Sequence, residues 1–218
     1  SGVLLNGFTI QNGFFDSSSG GNPDDISGGG VKIFYSDNNN SSSFWNVSVT
    51  LRNLNVINNE AFSGGGIYSR IDSLTLDNVQ ISNNKAQYGG GIYLTSSIVE
   101  IENVDIFDNE SNNGSAIFTG GISGTIKNTL MVGSVGASSV FEIDDNMGSN
   151  PLLSNVTIIS QGSNLGNFGL LYDIRDNDTP PDLGDNKIEI INSIIWSTNG
   201  AERSIEEKYN NDTPLHIS

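Results

Sequence analysis

The chain has 218 residues, with 25 Asp and Glu against nine Lys and Arg, for a formal net charge of −16. That balance disfavours nucleic acid and anionic membrane surfaces, which draw on clustered cations, and suits cations, cationic partners or plain solubility. There is no cysteine, so disulfides contribute nothing, and no apolar run approaches the ~20 residues of a membrane-spanning helix, so no direct membrane insertion is expected.

In chain order, Val3-Leu4-Leu5 is an apolar strand close behind Ser1, with no initiator Met and no signal peptide ahead of it. This reads as a piece of a longer protein, whose further coils would be its partners at the ends. Val3, Leu5, Phe8 and Ile10 match the inward columns of Val49, Leu51, Leu54 and Val56. Gly28-Gly29-Gly30 opens a strand that places Lys32 level with Tyr68. Phe14 to Ile26 and Asp37 to Ser43 are polar loops rich in Ser, Asp, Asn and Gly.

From 47 to 118 one pattern is written three times, at a step of 25 residues. Asn53, Asn78 and Asn103 repeat, as do Asn59, Asn84 and Asn109, and Ile67-Tyr68, Ile92-Tyr93 and Ile117-Phe118 close each unit. A fixed period of this size means a solenoid. Within a unit Leu74, Leu76, Val79 and Ile81 alternate with polar residues, the period of a strand, and Asp77-Asn78 interrupts them as a corner. Three short strands per unit make an all-β parallel β-helix, its coils stacked at roughly 4.8 Å.

The stacking predicts columns. Arg52, Asp77, Glu102 and Lys127 form one, with opposite charges adjacent at both ends, and Glu60, Lys85 and Glu110 form another of alternating sign. Asn53, Asn78, Asn103 and Asn128 are expected as the structural ladder, since Asn tolerates the left-handed corner and its amide can bond above and below. Leu51–Leu76–Ile101–Ile126 and Val56–Ile81–Ile106–Met131 fill the interior. Residues 119–218 continue less regularly. A fifth coil closes at Val140–Ile143, a sixth turns at Asn155, and a seventh runs from Ile188 to Trp196 with Asn192 at its corner. Glu202 to Lys208 alone has helical composition. The whole, 1–218, is one β-helix segment, regular over 47–118 and looped over 1–46 and 119–218.

The asparagine corner resembles that of the pectate-lyase-like right-handed β-helix superfamily, which implies a right-handed solenoid of about seven coils with a core repeat of about 25 residues. Gly65-Gly66-Ile67-Tyr68 and Gly90-Gly91-Ile92-Tyr93 are similar to the Gly-Gly-aliphatic motif of polymorphic outer-membrane-protein repeats. The Phe-x-x-Asn motif of those repeats is matched by Val56 to Asn59, Ile81 to Asn84 and Ile106 to Asn109, with Val or Ile in place of Phe. The resemblance implies a secreted or surface protein of a Gram-negative bacterium, extracellular or at the cell surface, working as an adhesin or stalk.

The same superfamily implies an alternative, a polysaccharide lyase or glycoside hydrolase or its accessory domain. Its hydrolases need paired Asp residues and a glycine-flanked histidine, and the one histidine, His216, has no adjacent glycine. Its lyases need an Arg or Lys base, but Arg52 and Lys127 already have column partners. The reading therefore leans away from catalysis. Lys32, Tyr68, Tyr93 and Phe118 are expected as an outward column on an exposed sheet, able to stack on a glycan or anchor a surface protein. No cofactor is expected other than calcium, for which Asp173, Asp176, Asp178, Asp182 and Asp185 offer hard oxygen ligands. Asp24-Asp25 and Asp144-Asp145 read as solvated loop charge.

Overall fold

The computed structural model describes residues 2–14, 26–34, 47–95, 97–134, 137–145, 149–161, 168–174, 188–197 and 205–208. Eighteen strands lie within them: β1 Gly2–Asn6, β2 Thr9–Gln11, β3 Val31–Phe34, β4 Ser48–Ile57, β5 Ile67–Arg70, β6 Ser73–Ser82, β7 Ile92–Leu94, β8 Ser97–Asn109, β9 Ile117–Thr119, β10 Ile122–Lys127, β11 Leu130–Gly133, β12 Ser139–Asp145, β13 Asn150–Ser154, β14 Thr157–Ser160, β15 Phe168–Ile174, β16 Glu189–Ile191, β17 Ile194–Ser197 and β18 Ile205–Lys208. Over Ile205–Lys208 the expected helical composition is overridden, because β18 pairs with β15 in parallel and its Ile205 packs on the core.

The strands wind into a parallel β-solenoid, and the periodicity explains how. Strands β4, β6, β8 and β10 stack at a step of 25 residues, Leu51 on Leu76 on Ile101 on Ile126. About four turns keep that period, rather than seven. The sheet continues beyond them, through β1 at one end and β13 and β16 at the other. There the steps are 46 residues (Gly2 to Ser48), 27 (Ser123 to Asn150) and 37 (Leu152 to Glu189), because longer connections intervene.

Each long strand bends at an asparagine, and β8 bends again at Asp108, with φ of 53°. Asn53, Asn78, Asn103, Asn128, Asn155 and Asn192 all adopt φ between 48° and 55°, the left-handed conformation Asn reaches more readily than most residues. The bend breaks the period of two, so Leu51 and Leu54 both turn inward with two residues between them, and both are buried. A second sheet, of order β18-β15-β12-β9-β7-β5-β3, closes the turn. Just before its strands, successive turns lie so close that a Cβ on Gly66 would lie 2.6 Å from the Gly91 carbonyl oxygen of the next turn. Aliphatic columns from all faces fill one continuous core. Its first turn is open: Val3 pairs with buried Val49 yet is 60% exposed, and Phe8, one residue before the Thr9–Asn55 pair, is 56% exposed.

Candidate functional site

The outward column of the second sheet assembles in the expected register, with Lys32 on Tyr68, Tyr68 on Tyr93 and Tyr93 on Phe118. The rings stack at centroid distances of 5.3 Å in both Tyr68–Tyr93 and Tyr93–Phe118, tilted by only 11° and 17°. Tyr88 meets Phe118 edge-on at 5.4 Å and Phe62 meets Tyr88 likewise at 5.8 Å. Lys32 Nζ sits 4.7 Å from the Phe34 ring centroid. Contrary to the expectation of an exposed face, Tyr68 is 4% and Phe118 6% exposed, and Tyr93 is half-buried. Stacked strands lie about 4.8 Å apart, close to the separation aromatic rings prefer, so the rings stack face to face, and Tyr88 packs edge-on against Phe118.

The neighbouring corner carries the charges. Asn58, Asn83 and Asp108, with φ of 57°, 55° and 53°, turn the chain, and beside them Glu60, Lys85 and Glu110 form a column. Together they line a groove of about 380 Å³. Lys85 Nζ lies 2.9 Å from Glu110 Oε1. The hydrogen bond and charge of Glu110 raise the Lys85 pKa above its ordinary value, the wrong direction for a proton-abstracting base. The other column pairs at both ends as expected: Arg52 Nε lies 2.9 Å from Asp77 Oδ2 and Lys127 Nζ 3.0 Å from Glu102 Oε2.

Two asparagine columns differ sharply. In the expected ladder, Asn78 Nδ2 donates to Asn53 Oδ1 at 2.7 Å and Asn53 Nδ2 to Asn6 Oδ1 at 2.8 Å. Asn155 Nδ2 donates to Asn128 Oδ1 at 3.3 Å. The step between is not amide to amide, since Asn103 Nδ2 donates to Asp77 Oδ1 at 3.5 Å. All four bonds are exposed. The buried ladder is Asn59–Asn84–Asn109, whose residues are at most 1% exposed. Asn84 Oδ1 accepts from both Asn59 N (3.0 Å) and Asn59 Nδ2 (2.9 Å), while Asn84 Nδ2 donates to Asn109 Oδ1 and to Val56 O, each at 2.9 Å. The 25-residue spacing announced this column, but spacing alone carries no measure of its burial.

Sequence reasoning also missed Glu142. It continues the aromatic column below Phe118 and is 3% exposed. Ser138 Oγ and Ser139 Oγ each donate to its Oε2 at 2.8 Å, and Asn113 Nδ2 donates to its Oε1 at 3.1 Å. A carboxylate where neighbouring turns carry aromatics was the available signal.

Of the calcium candidates, Asp173 lies on β15, and Asp176, Asp178, Asp182 and Asp185 lie outside the described residues, as do His216 and Asp24-Asp25. Among the described residues no group of three or more His, Cys, Asp or Glu is placed to hold a metal, and no helix is long and apolar enough to cross a membrane. Comparison with known protein families, with curated proteins and with solved structures finds no match to this chain.

Proposed function

We propose that the chain is a non-catalytic segment of a secreted or cell-surface bacterial protein, serving as a stalk that also presents an adhesive surface. One observation carries this reading: the repeating turns use their polar groups on one another. Arg52, Lys85 and Lys127 are each paired with the carboxylate of an adjacent turn, and the Asn59–Asn84–Asn109 amides are bonded from turn to turn. Such a stack is suited to length and rigidity, each turn adding roughly 4.8 Å. A right-handed, pectate-lyase-like winding belongs to the proposal, since parallel crossovers overwhelmingly take that hand. The partners would be a glycan or a surface protein, met at the first turn, where Val3, Leu4, Phe8, Phe14 and Phe34 are each exposed. Further coils of a parent chain would meet the same turn.

A second reading, a polysaccharide-active enzyme, is favoured by the groove that brings Glu60, Asp108 and Glu110 around Lys85. A screen of uronate and neutral glycans for both binding and turnover separates the two. Binding without turnover, weakened by Phe8→Ser with Phe34→Ser, supports the adhesive reading. Turnover abolished by Glu110→Gln would replace it.

A further inference from the structure

Gly114 begins the closing strand segment of the fourth turn with φ of 56°, and a Cβ there would lie 2.3 Å from the Ile117 carbonyl oxygen. The fold therefore requires glycine at this turn, as it does at Gly64 and Gly89. Those two follow Ser63 and Tyr88, whereas Gly114 follows Asn113. An Asn-Gly pair has no side chain on the second residue to hinder attack of its backbone nitrogen on the Asn side-chain carbonyl. Here both ends of that reaction are held. The Gly114 N–H donates to Ser139 Oγ at 3.2 Å, and Ser139 Oγ donates in turn to Glu142 Oε2 at 2.8 Å. The Asn113 amide nitrogen donates to Glu142 Oε1 at 3.1 Å, to its Oε2 at 3.4 Å and to Ser138 Oγ at 3.3 Å. One buried carboxylate thus touches the leaving group directly and the nucleophile through one hydroxyl.

We propose that Asn113-Gly114 is a self-modification site, at which Glu142 promotes conversion of Asn113 to aspartate and isoaspartate. Glu142 takes the Gly114 amide proton through Ser139. The freed nitrogen bonds to Asn113 Cγ. The Cγ–Nδ2 bond then breaks, the proton on Glu142 passes to Nδ2, and ammonia leaves a five-membered succinimide. Water opens either imide carbonyl, and Glu142 ends as it began. The product carboxylate lies against Glu142, so like-charge repulsion loosens the turn that opens this strand.

The test uses the intact folded chain, incubated at neutral pH and peptide-mapped by mass spectrometry over time. Asn6-Gly7 and Asn12-Gly13 are internal controls with the same dipeptide. Asn113 is expected to convert at least about a hundredfold faster than either, the low end of what a positioned general base supplies. That advantage should vanish in urea and in Glu142→Gln. Should Glu142→Gln unfold, the comparison of the three sites in the folded and urea-unfolded wild-type chain stands alone. Conversion at Asn113 no faster than at Asn6 and Asn12 in the folded chain overturns the proposal, as does an unchanged rate in a folded Glu142→Gln.

Discussion

Asn59, Asn84 and Asn109 run down one corner of the stack and Asn53, Asn78 and Asn103 down another, with the same residue type and the same step of 25. In the first column each amide is sealed from water, and the Asn84 side chain serves four neighbouring groups that have no solvent to fall back on. In the second the amides are exposed, and the backbone takes the left-handed conformation that the buried column leaves to its preceding residues, Asn58, Asn83 and Asp108. One column is held for its hydrogen bonds and the other for its dihedral angle. Equal periodicity therefore does not imply equal energy, because a bond between exposed groups replaces bonds to water, whereas a broken buried bond leaves a desolvated group.

The largest expected effect separates the columns. Asn84→Ala strands the Asn59 backbone N–H and the Val56 carbonyl in the interior, while Asn109 Oδ1 keeps the backbone N–H of residue 84. At about 1–3 kcal/mol for each of the two stranded groups, the loss should be about 2–6 kcal/mol. Urea denaturation measures it. A loss below about 1 kcal/mol would mean that water reaches the site and that the two columns are equivalent.

Next comes the aromatic column against the core beneath it. Ile92 is fully buried, and Ile92→Ala should cost about 2–5 kcal/mol. Tyr93→Ala removes two ring pairs and a half-buried ring, about 1–3 kcal/mol. The difference should appear as a lower Tm for Ile92→Ala. Equal losses would show that the outward stack is as much a core as the interior.

What could be read in the sequence follows from what repeats. The 25-residue step fixed which residues lie above one another, so the register of Leu51 on Leu76 and the pairing of Lys85 with Glu110 followed from spacing alone. Burial depends on what closes over a column, and that comes from residues outside the pattern. Tyr88, itself backed by Phe62, packs against Phe118 of the aromatic stack, although neither belongs to it. Ser69 sits in the core with a buried hydroxyl that has no hydrogen-bond partner, where alternation would place an aliphatic residue. Glu142 was hidden for the same reason: its partners Asn113, Ser138 and Ser139 are scattered over 29 residues and meet only through stacking.

Asn78→Gly tests the exposed column without confounding it. Glycine adopts φ of 55° freely, so the substitution removes the amide bond to Asn53 and leaves the corner unstrained. The loss should stay within about 1 kcal/mol. Asn78→Ala keeps a Cβ and should cost about 1–2 kcal/mol more, because a left-handed alanine is strained. If glycine is as damaging as alanine, the amide ladder and not the dihedral angle holds this corner.

The smallest effect concerns Lys85, on the polar rim beside the buried amides. Glu110 raises its pKa above 10.5, first through the hydrogen bond and then through charge. The folded state therefore holds the proton more tightly than the unfolded chain. The pair's contribution to stability is fully present below the unfolded value of 10.5 and is lost as pH rises through the higher folded value. The informative quantity is the difference between wild type and Lys85→Gln. That difference should be small, constant from neutral pH to about 10.5, and shrinking above it. Added salt should reduce it as well, because both partners face solvent. Buried Asn84 has no charge to titrate or screen, so the penalty of Asn84→Ala should not change across the same pH and salt series. A salt-sensitive Asn84 penalty would place that ladder at the surface with Lys85, and the distinction between the two columns would fall.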